Sequence, residues 1–326
     1  MTGAVWSRRG ISTGLIFAPA IARAQSSWPS QIIKLVVPFT PGGSTDVLAR
    51  LIANRLERTI SGAKFVIENR PGAGGSSAAA QVARAEPDGH TLMMGHIGTL
   101  AYNPSLYANL PYDPARDFQP VATVASVPNI LVVNPAMPAR NFQQFVAHAK
   151  ANSGKLNYSS GGVGSAAHIA GAYLCYRAGF DAVHVPYRGT GPSVNDLVAG
   201  MIQFTLTGGT AVLPLTEGGQ LRAIGVASAA RVGFAPQLPT IAESGIPDFE
   251  AVQWYGVVAP AKTPAAIVDR LNREINALLD APEFREALDR DGAIALKGAP
   301  DDFARLIAAE ILLWRDIIRR ANISVG

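Results

Sequence analysis

The sequence predicts an α/β sandwich with mainly parallel strands, divided into two lobes that the chain crosses between twice. Three observations carry this. Short apolar strands alternate with amphipathic helices along nearly the whole chain, as where Ile32–Val37 precedes a helix expected over Thr45–Ile60. The turns from strand to helix are rich in glycine: Pro41-Gly42-Gly43-Ser44, Gly72-Ala73-Gly74-Gly75 and Gly161-Gly162-Val163-Gly164. At 326 residues the chain is long enough for two separate cores.

Each element follows from local pattern. In the first helix Val47, Leu48, Leu51, Ile52 and Leu56 share one apolar face. A strand near Lys64–Ile67 leads through Asn69-Arg70-Pro71 and a glycine turn into a helix over Ser76–Ala85. Thr91–Met94 is a buried strand, followed by the loop His96-Ile97-Gly98-Thr99 and a proline-rich surface passage from Asn103 to Pro120. Val121–Val124 and Ile130–Val133 are extended segments leading out of the first lobe.

The second lobe should hold helices over Phe142–Ala151, Ser165–Ala178 and Pro192–Ala199. Its strands are expected at Leu156–Ser159, Val183–Pro186, Ile202–Leu206 and Leu221–Ala227. A loop over Pro236–Phe249 and the strand Trp254–Ala259 bring the chain back, and the helices Pro264–Leu279 and Asp301–Ala321 close the first lobe. The expected division is residues 25–125 for lobe one, 126–227 for lobe two and 228–326 completing lobe one. Two crossings make a hinge.

Charge is informative by its location. Arg8, Arg9 and Arg23 lie in the first 24 residues, which hold no acid; without them 25 basic side chains face 24 acidic ones. That balance argues against a general nucleic-acid or membrane-surface binder. Arg8-Arg9, an apolar stretch through Ile11, Leu15, Ile16 and Phe17, and Ala22-Arg23-Ala24 give the three regions of a secretory signal in order. Cleavage is expected after Ala24, with export to the periplasm. The apolar stretch is too short to span a bilayer. Cys175 is the single cysteine, so no internal disulfide forms. Among Ile169, Tyr173 and Leu174 it reads as a buried hydrophobe, and no metal or cofactor is expected.

The glycine turns carry the chemistry. Gly42 and Gly43 let the backbone turn tightly after the first strand and leave helix N–H groups open to an anion. Ser44 can cap that helix, and Asp46 in its first turn complements the positive end of the dipole. Asp46 reads more as a helix-start stabiliser than a direct contact, because its charge repels a carboxylate. Gly72-Ala73-Gly74-Gly75 partly resembles a dinucleotide fingerprint but lacks the third glycine and follows the second strand. Ser165 and His168, three apart on one helix face, invite a hydrolase reading, yet the Gly-x-Ser-x-Gly elbow is absent. A ligand-facing N-cap is the stronger reading of Ser165. Arg188, in Tyr187-Arg188-Gly189-Thr190, can recognise a carboxylate in two-pronged fashion or remain a solvated surface cation. Trp254-Tyr255 can wall a pocket, although such aromatics are more often core.

Taken together these residues resemble the Bug family of periplasmic solute receptors, the TctC-like subunits of tripartite tricarboxylate transporters. The resemblance runs from Trp28 to the last helix through the Pro38–Asp46 loop, Glu68-Asn69-Arg70-Pro71-Gly72-Ala73-Gly74-Gly75 and Pro87-Asp88-Gly89-His90-Thr91. It continues through Asn157-Tyr158 to His168, His184-Val185-Pro186-Tyr187-Arg188-Gly189, Leu238-Pro239-Thr240 and Glu243-Ser244-Gly245. It implies a type II periplasmic-binding-protein fold, two Rossmann-like lobes joined by a two-segment hinge and closing on a small organic acid. One ligand carboxylate would fall to Phe39, Thr40, Gly42, Gly43 and nearby Gly98 or Thr99. The opposite lobe would add Gly162, Gly164, Ser165, His168 and the segment after Tyr187. Many relatives carry an Asp after the strand Gln203-Phe204-Thr205-Leu206, where this chain has Thr207. That departure makes amino-acid ligands less favoured.

The expectation is therefore a monomeric, non-enzymatic receptor delivering a small-molecule carboxylate to membrane transporter subunits, with no nucleic-acid partner. Two rivals differ in class: a secreted serine hydrolase using Ser165 and His168, and a sensor or adaptor whose ligand site has decayed.

Overall fold

The computed structural model describes residues 1–4 and 28–324, so the expected signal segment lies almost wholly outside the described residues. The first part of the chain runs β1 (Ile33–Val37), α1 (Ser44–Thr59), β2 (Phe65–Asn69), α2 (Ser76–Ala83), β3 (Thr91–His96), a short α3 (Asn103–Leu106) and the long β4 (Phe118–Val133). The middle part is α4 (Phe142–Ala151), β5 (Leu156–Ser160), α5 (Ala166–Ala178), β6 (Ala182–Pro186), α6 (Thr190–Val198), β7 (Phe204–Gly208), α7 (Gly209–Glu217) and β8 (Arg222–Val226). The last part is β9 (Val252–Pro260), α8 (Ala265–Asp280), α9 (Pro282–Arg290), β10 (Ile294–Ala295) and α10 (Pro300–Arg320).

The strands form two sheets with one recurring order. In the first, β1 lies parallel to β2 and β3, and β9 is inserted antiparallel between β3 and β4. In the second, β5 lies parallel to β6 and β7, and the far end of β4 is inserted antiparallel between β7 and β8. Parallel pairs thus build each lobe, while antiparallel pairs of β4 and β9 join them. Pairing of β4 with β9 extends from Phe118 opposite Pro260 to Pro128 opposite Val252. Beyond Pro128, Asn129–Val133 pairs with β7 and β8, so one strand passes from sheet to sheet.

Here the structure corrects the sequence reading. Val121–Val124 and Ile130–Val133 are parts of one 16-residue strand. Pro120 and Pro128 argue for a break, since neither donates to a ladder. Pro120 sits at a register shift, and Pro128 sits where β4 changes partners, so each missing N–H falls where the ladder is already interrupted. The passage from Asn103 to Pro120 is not wholly on the surface: Asn103 and Tyr112 are buried. The helices α3, α7 and α9 and the two-residue β10 were not expected; α7 carries Pro214 inside it, and α9 is separated from α8 by Ala281 alone.

The core follows the layering. On one face of the first sheet Leu48, Ile52 and Leu56 of α1 and Leu271 and Ile275 of α8 pack on Leu35, Val37, Leu92 and Val124. The other face belongs to an apolar cluster shared by both lobes, joining Val36, Met93 and Val82 to Phe145, Tyr158 and Phe204. Helix α10 contributes Phe303, Ile307, Trp314 and Ile318 to it, and Trp314 meets Tyr173 of α5 edge to face at 5.9 Å. The last helix therefore touches both lobes rather than closing the first alone. Cys175 is buried, which pushes its thiol up to about 12, as an inert small hydrophobe requires.

Candidate ligand-binding site

In open α/β sheets the crevice outside the carboxyl ends of the strands receives ligands, and here both sheets turn those ends toward one cleft. The β1–α1 turn contributes Phe39, Thr40, Gly43, Ser44 and Thr45 to an inner chamber of about 30 Å³. The β5–α5 turn faces it with Gly161, Ser165, Ala166 and Ala167, joined by Thr190 of α6 and Thr207 of β7. His96, Gln253 and Tyr255 form its floor.

Helix geometry makes this chamber receptive to an anion. Gly43 precedes α1 with no side-chain cap, and Ser165 precedes α5 with its hydroxyl accepting from His168 N–H at 3.4 Å. The amides of Ser44, Thr45, Ala166 and Ala167 occupy the first two positions of the two helices, where no intrahelical partner exists. Two positive dipole ends from opposite lobes thus point at one small volume. Among the described residues, no Asp, Glu, Lys or Arg lines it. Amides and hydroxyls attract an anion without leaving a buried charge unpaired when the site is vacant.

Asp46 holds the first turn in shape. Its carboxylate accepts from Gly42 N–H at 3.0 Å, Arg50 Nε at 3.0 Å and Asn69 Nδ2 at 2.9 Å, and Asn69 Nδ2 also donates to the Phe39 carbonyl at 3.1 Å. Burial alone would raise the Asp46 carboxyl; the hydrogen bonds from Arg50, Gly42 and Asn69 outweigh it and keep it below the ordinary carboxylate value. The charge is spent on its own loop, and Asp46 does not reach the chamber.

The floor is a chain of buried amides and rings. Gly98 N–H donates to His96 Nδ1 at 3.0 Å, so neutral His96 carries its proton on Nε2. That proton goes to Gln253 Oε1 at 3.1 Å, which also accepts from Tyr255 Oη at 2.5 Å. Gln253 Nε2 donates to Asn129 Oδ1, and Asn129 Nδ2 donates to the Ala251 carbonyl at 2.7 Å. Burial pushes His96 down to about 4, against the opposing hydrogen bond to Gln253, so the ring is neutral near pH 7. Asn129 sits where β4 passes from the first sheet to the second, and Gln253 lies near the start of β9, opposite Val127 of β4. The floor of the cleft is the hinge itself.

A second chamber of about 500 Å³ opens outward, sharing Phe39 and Gly161 with the inner one. Pro71 to Gly75, Gly162, Val163 and the Pro186-Tyr187-Arg188 segment line it. The lobes touch around both. A Cβ on Gly43 would meet Thr190 Oγ1 at 3.4 Å, one on Gly98 would meet the Gly164 carbonyl at 3.0 Å, and the hydroxyls of Ser44 and Thr210 are in contact.

Of the residues expected from sequence, Phe39, Thr40, Gly43, Ser44, Ser165 and Thr207 line the inner chamber, and Gly162 and Arg188 line the outer one. Gly42, Asp46, Gly98, Thr99, Gly164 and His168 line neither. The reason is local: their polar groups are consumed within their own turns. Gly42 N–H goes to Asp46, Gly98 N–H to His96, Thr99 Oγ1 to the His96 carbonyl, and Gly164 N–H to His168 Nδ1. The buried His168 ring also stacks on His184 at 3.9 Å, and burial lowers it to about 4.

Sequence reasoning missed His96, Gln253 and Asn129 as site residues. One signal was available: an amide set directly against the apolar residues of each strand, Asn129 before Ile130 and Gln253 before Trp254. Tyr255 lines the chamber, whereas its neighbour Trp254 belongs to the core, against Phe303 at 5.6 Å.

Comparison with known proteins agrees with this geometry. The family described as tripartite tricarboxylate transporter family receptor (TctC) matches residues 48–323. The protein BugT of Bordetella pertussis is 36% identical over 96% of this chain and 95% of its own length. The solved structure of R. palustris Rpa4515 with adipate superposes with a TM-score of 0.88 at 38% identity, covering 91% of this chain and 99% of that one. MatC of Rhodopseudomonas palustris, solved with bound malate, gives 0.85 at 35% identity, covering 89% and 100%. By fold and by these matches, the chain belongs to the TctC, or Bug, family of tripartite tricarboxylate transporter receptors.

Proposed function

We propose that this chain is a periplasmic receptor that captures a small organic acid between its lobes and presents it to the membrane subunits of a tripartite tricarboxylate transporter. The observation that carries the reading is the pair of helix starts, at Ser44-Thr45 and Ala166-Ala167, facing one uncharged chamber from opposite lobes. One carboxylate would sit there, receiving backbone N–H groups from both lobes, so that the ligand itself bridges the closed state. Closure then follows from the higher affinity of the closed form, and only to that extent. The adipate and malate bound by the related R. palustris proteins support a carboxylate as the guest.

Thr207 lines the inner chamber and, among the described residues, no carboxylate does, so a ligand ammonium would have no ionic partner there. This favours hydroxylated or unsubstituted acids over amino acids. Catalysis is not part of the reading. The Ser165 hydroxyl caps His168 N–H rather than meeting its imidazole, and the imidazole Nδ1 is occupied by Gly164 N–H at 3.3 Å. Ser165 and His168 therefore do not form an acyl-transfer pair.

Titration calorimetry with malate, adipate and aspartate on the protein lacking residues 1–24 tests the proposal. Binding of a non-amino diacid, accompanied by compaction in small-angle scattering, is expected. If no carboxylate binds, or aspartate binds more tightly than malate and adipate, the reading of the chamber is wrong. Amino-terminal sequencing of protein recovered from the periplasm tests export; a retained Met1 would refute it.

A further inference from the structure

Two histidines of the second lobe, His168 on α5 and His184 on β6, line neither chamber, yet their rings stack at 3.9 Å with planes 21° apart. Tyr158, opposite His184 in the β5–β6 register, stacks beside it at 5.0 Å, and Phe204 lies 5.6 Å from Tyr158. The pair is thus part of a fixed row of rings. Each imidazole also directs one nitrogen toward the β5–α5 turn.

That turn needs anchoring. Gly162 and Gly164 stand at φ 129 and 78, conformations that glycine enters and leaves with equal ease. Gly164 N–H donates to His168 Nδ1 at 3.3 Å. Ser160 Oγ accepts Gly162 N–H at 3.1 Å and donates its own proton to the Gly162 carbonyl at 3.0 Å. His184 Nε2 lies 2.6 Å from the same oxygen, and with the hydroxyl proton already placed, His184 is the donor. Both rings then hold their proton on Nε2. Burial lowers His168 to about 4, and burial with the neighbouring His168 lowers His184 to about 3, so both are neutral near pH 7. Directly after this turn, Ala166 and Ala167 open α5 and present its unpartnered amides to the chamber. Hydrogen bonds weaken steeply when misdirected, so a turn free to swing would cost the guest those contacts.

We propose that His168 and His184 are positioning residues: through the Gly164 amide and the Ser160 hydroxyl they fix the β5–α5 turn before the guest arrives, so that the Ala166 and Ala167 amides need no reordering on binding. This rests on the carboxylate reading of the inner chamber and adds to it the groups that pre-form the second lobe's half of the site. Neither ring touches the guest.

The test measures adipate and malate binding by titration calorimetry on wild type, His168→Asn and His168→Leu, with urea titration of each to confirm folding. Both variants lose the ring stack, but Asn Oδ1 stands where Nδ1 does and can accept Gly164 N–H, whereas leucine cannot. Affinity should fall about tenfold in His168→Leu, the upper end of what one net hydrogen bond supplies, and stay within about twofold of wild type in His168→Asn. His184→Gln, whose amide nitrogen can donate to Ser160 Oγ, should behave like His168→Asn, and His184→Leu like His168→Leu. In ligand-free wild type, imidazole nitrogen shifts should place the proton of both rings on Nε2, and the Gly164 amide should exchange slowly with solvent. Wild-type affinity in folded His168→Leu overturns the proposal, as does an equal loss in His168→Asn and His168→Leu, which would mean packing alone. If the leucine variants do not fold, the wild-type spectra decide: a proton on His168 Nδ1, or a rapidly exchanging Gly164 amide, overturns it. If wild type binds neither acid, the inner-chamber reading fails and the positioning role falls with it; wild-type binding that is indifferent to His168→Leu removes this proposal alone.

Discussion

Gly189→Ala isolates lobe closure from folding. Gly189 lies immediately before α6 in the second lobe, at φ 154 and ψ 171, and faces Thr40 of the β1–α1 turn across the cleft. An added Cβ would overlap Thr40 Oγ1 and stand 2.9 Å from Thr40 Cβ and 3.3 Å from its Cγ2. Rotating Thr40 moves the hydroxyl but not its Cβ, so the clash is relieved only by parting the lobes by about 1 Å. Wedging a methyl into a packed contact costs about 1–3 kcal/mol, and here that cost falls on the closed state alone. The strain of alanine at this φ and ψ adds about 1–3 kcal/mol to both open and closed forms, and so lowers folding stability without touching the equilibrium between them. Affinity for a diacid should therefore fall by about 5- to 150-fold, since each 1.4 kcal/mol is about a factor of ten. Calorimetry gives the affinity, and small-angle scattering with saturating ligand reports whether the lobes close. Gly191→Ala, two residues on and with nothing within 4 Å of its added methyl, is the control and should bind as wild type. Thr40→Gly in the Gly189→Ala background, which removes that Cβ, should recover part of the loss. Wild-type affinity in Gly189→Ala, or an equal loss in Gly191→Ala, refutes the wedge argument.

Three further outcomes are expected. Gln253→Ala strands His96 Nε2–H, Tyr255 O–H and Asn129 Oδ1 at the hinge and should lower unfolding stability by about 2–4 kcal/mol in urea titration; a change below 1 kcal/mol would mean water replaces the amide without penalty. His96 and His168 have ordinary values near 6.5 when unfolded and about 4 when folded. Between these the unfolded chain binds more protons, so stability present above pH 6.5 is lost as the pH falls toward 4, by about 2 kcal/mol for each ring at pH 5. A flat urea midpoint between pH 7 and pH 5 would contradict the buried neutral imidazoles. Thr207→Asp places a carboxylate beside the chamber and should move the malate-to-aspartate affinity ratio toward aspartate by about tenfold; an unmoved ratio would remove Thr207 from the specificity argument.

Much of this molecule was readable in one dimension. The alternation of apolar strands with amphipathic helices predicts the layered α/β architecture, because burying one face of each element leaves few other arrangements. The glycine turn at Gly42-Gly43 and the cap at Ser165 mark helix starts, and helix starts are anion sites by backbone geometry whatever side chains surround them. Gly43, Ser44 and Ser165 reached the chamber for that reason, whereas Phe39, Thr40 and Thr207 were expected there from the family resemblance. What sequence could not show is which N–H groups remain free. Gly98, Gly164 and His168 carry suitable chemistry, yet His96 Nδ1 takes the Gly98 amide and His168 Nδ1 takes the Gly164 amide.

The hinge was legible in number but not in construction. Two crossings followed from the order of elements, whereas the continuous β4 depends on partners from β9, more than a hundred residues later in the chain. The same long-range pairing brings Asn129 beside Gln253 and both beneath His96 and Tyr255. Local pattern sets which residues are buried and where helices begin, because those depend on neighbours a turn away. Which buried polar groups satisfy one another depends on strands distant in sequence, and only their packing in three dimensions determines that.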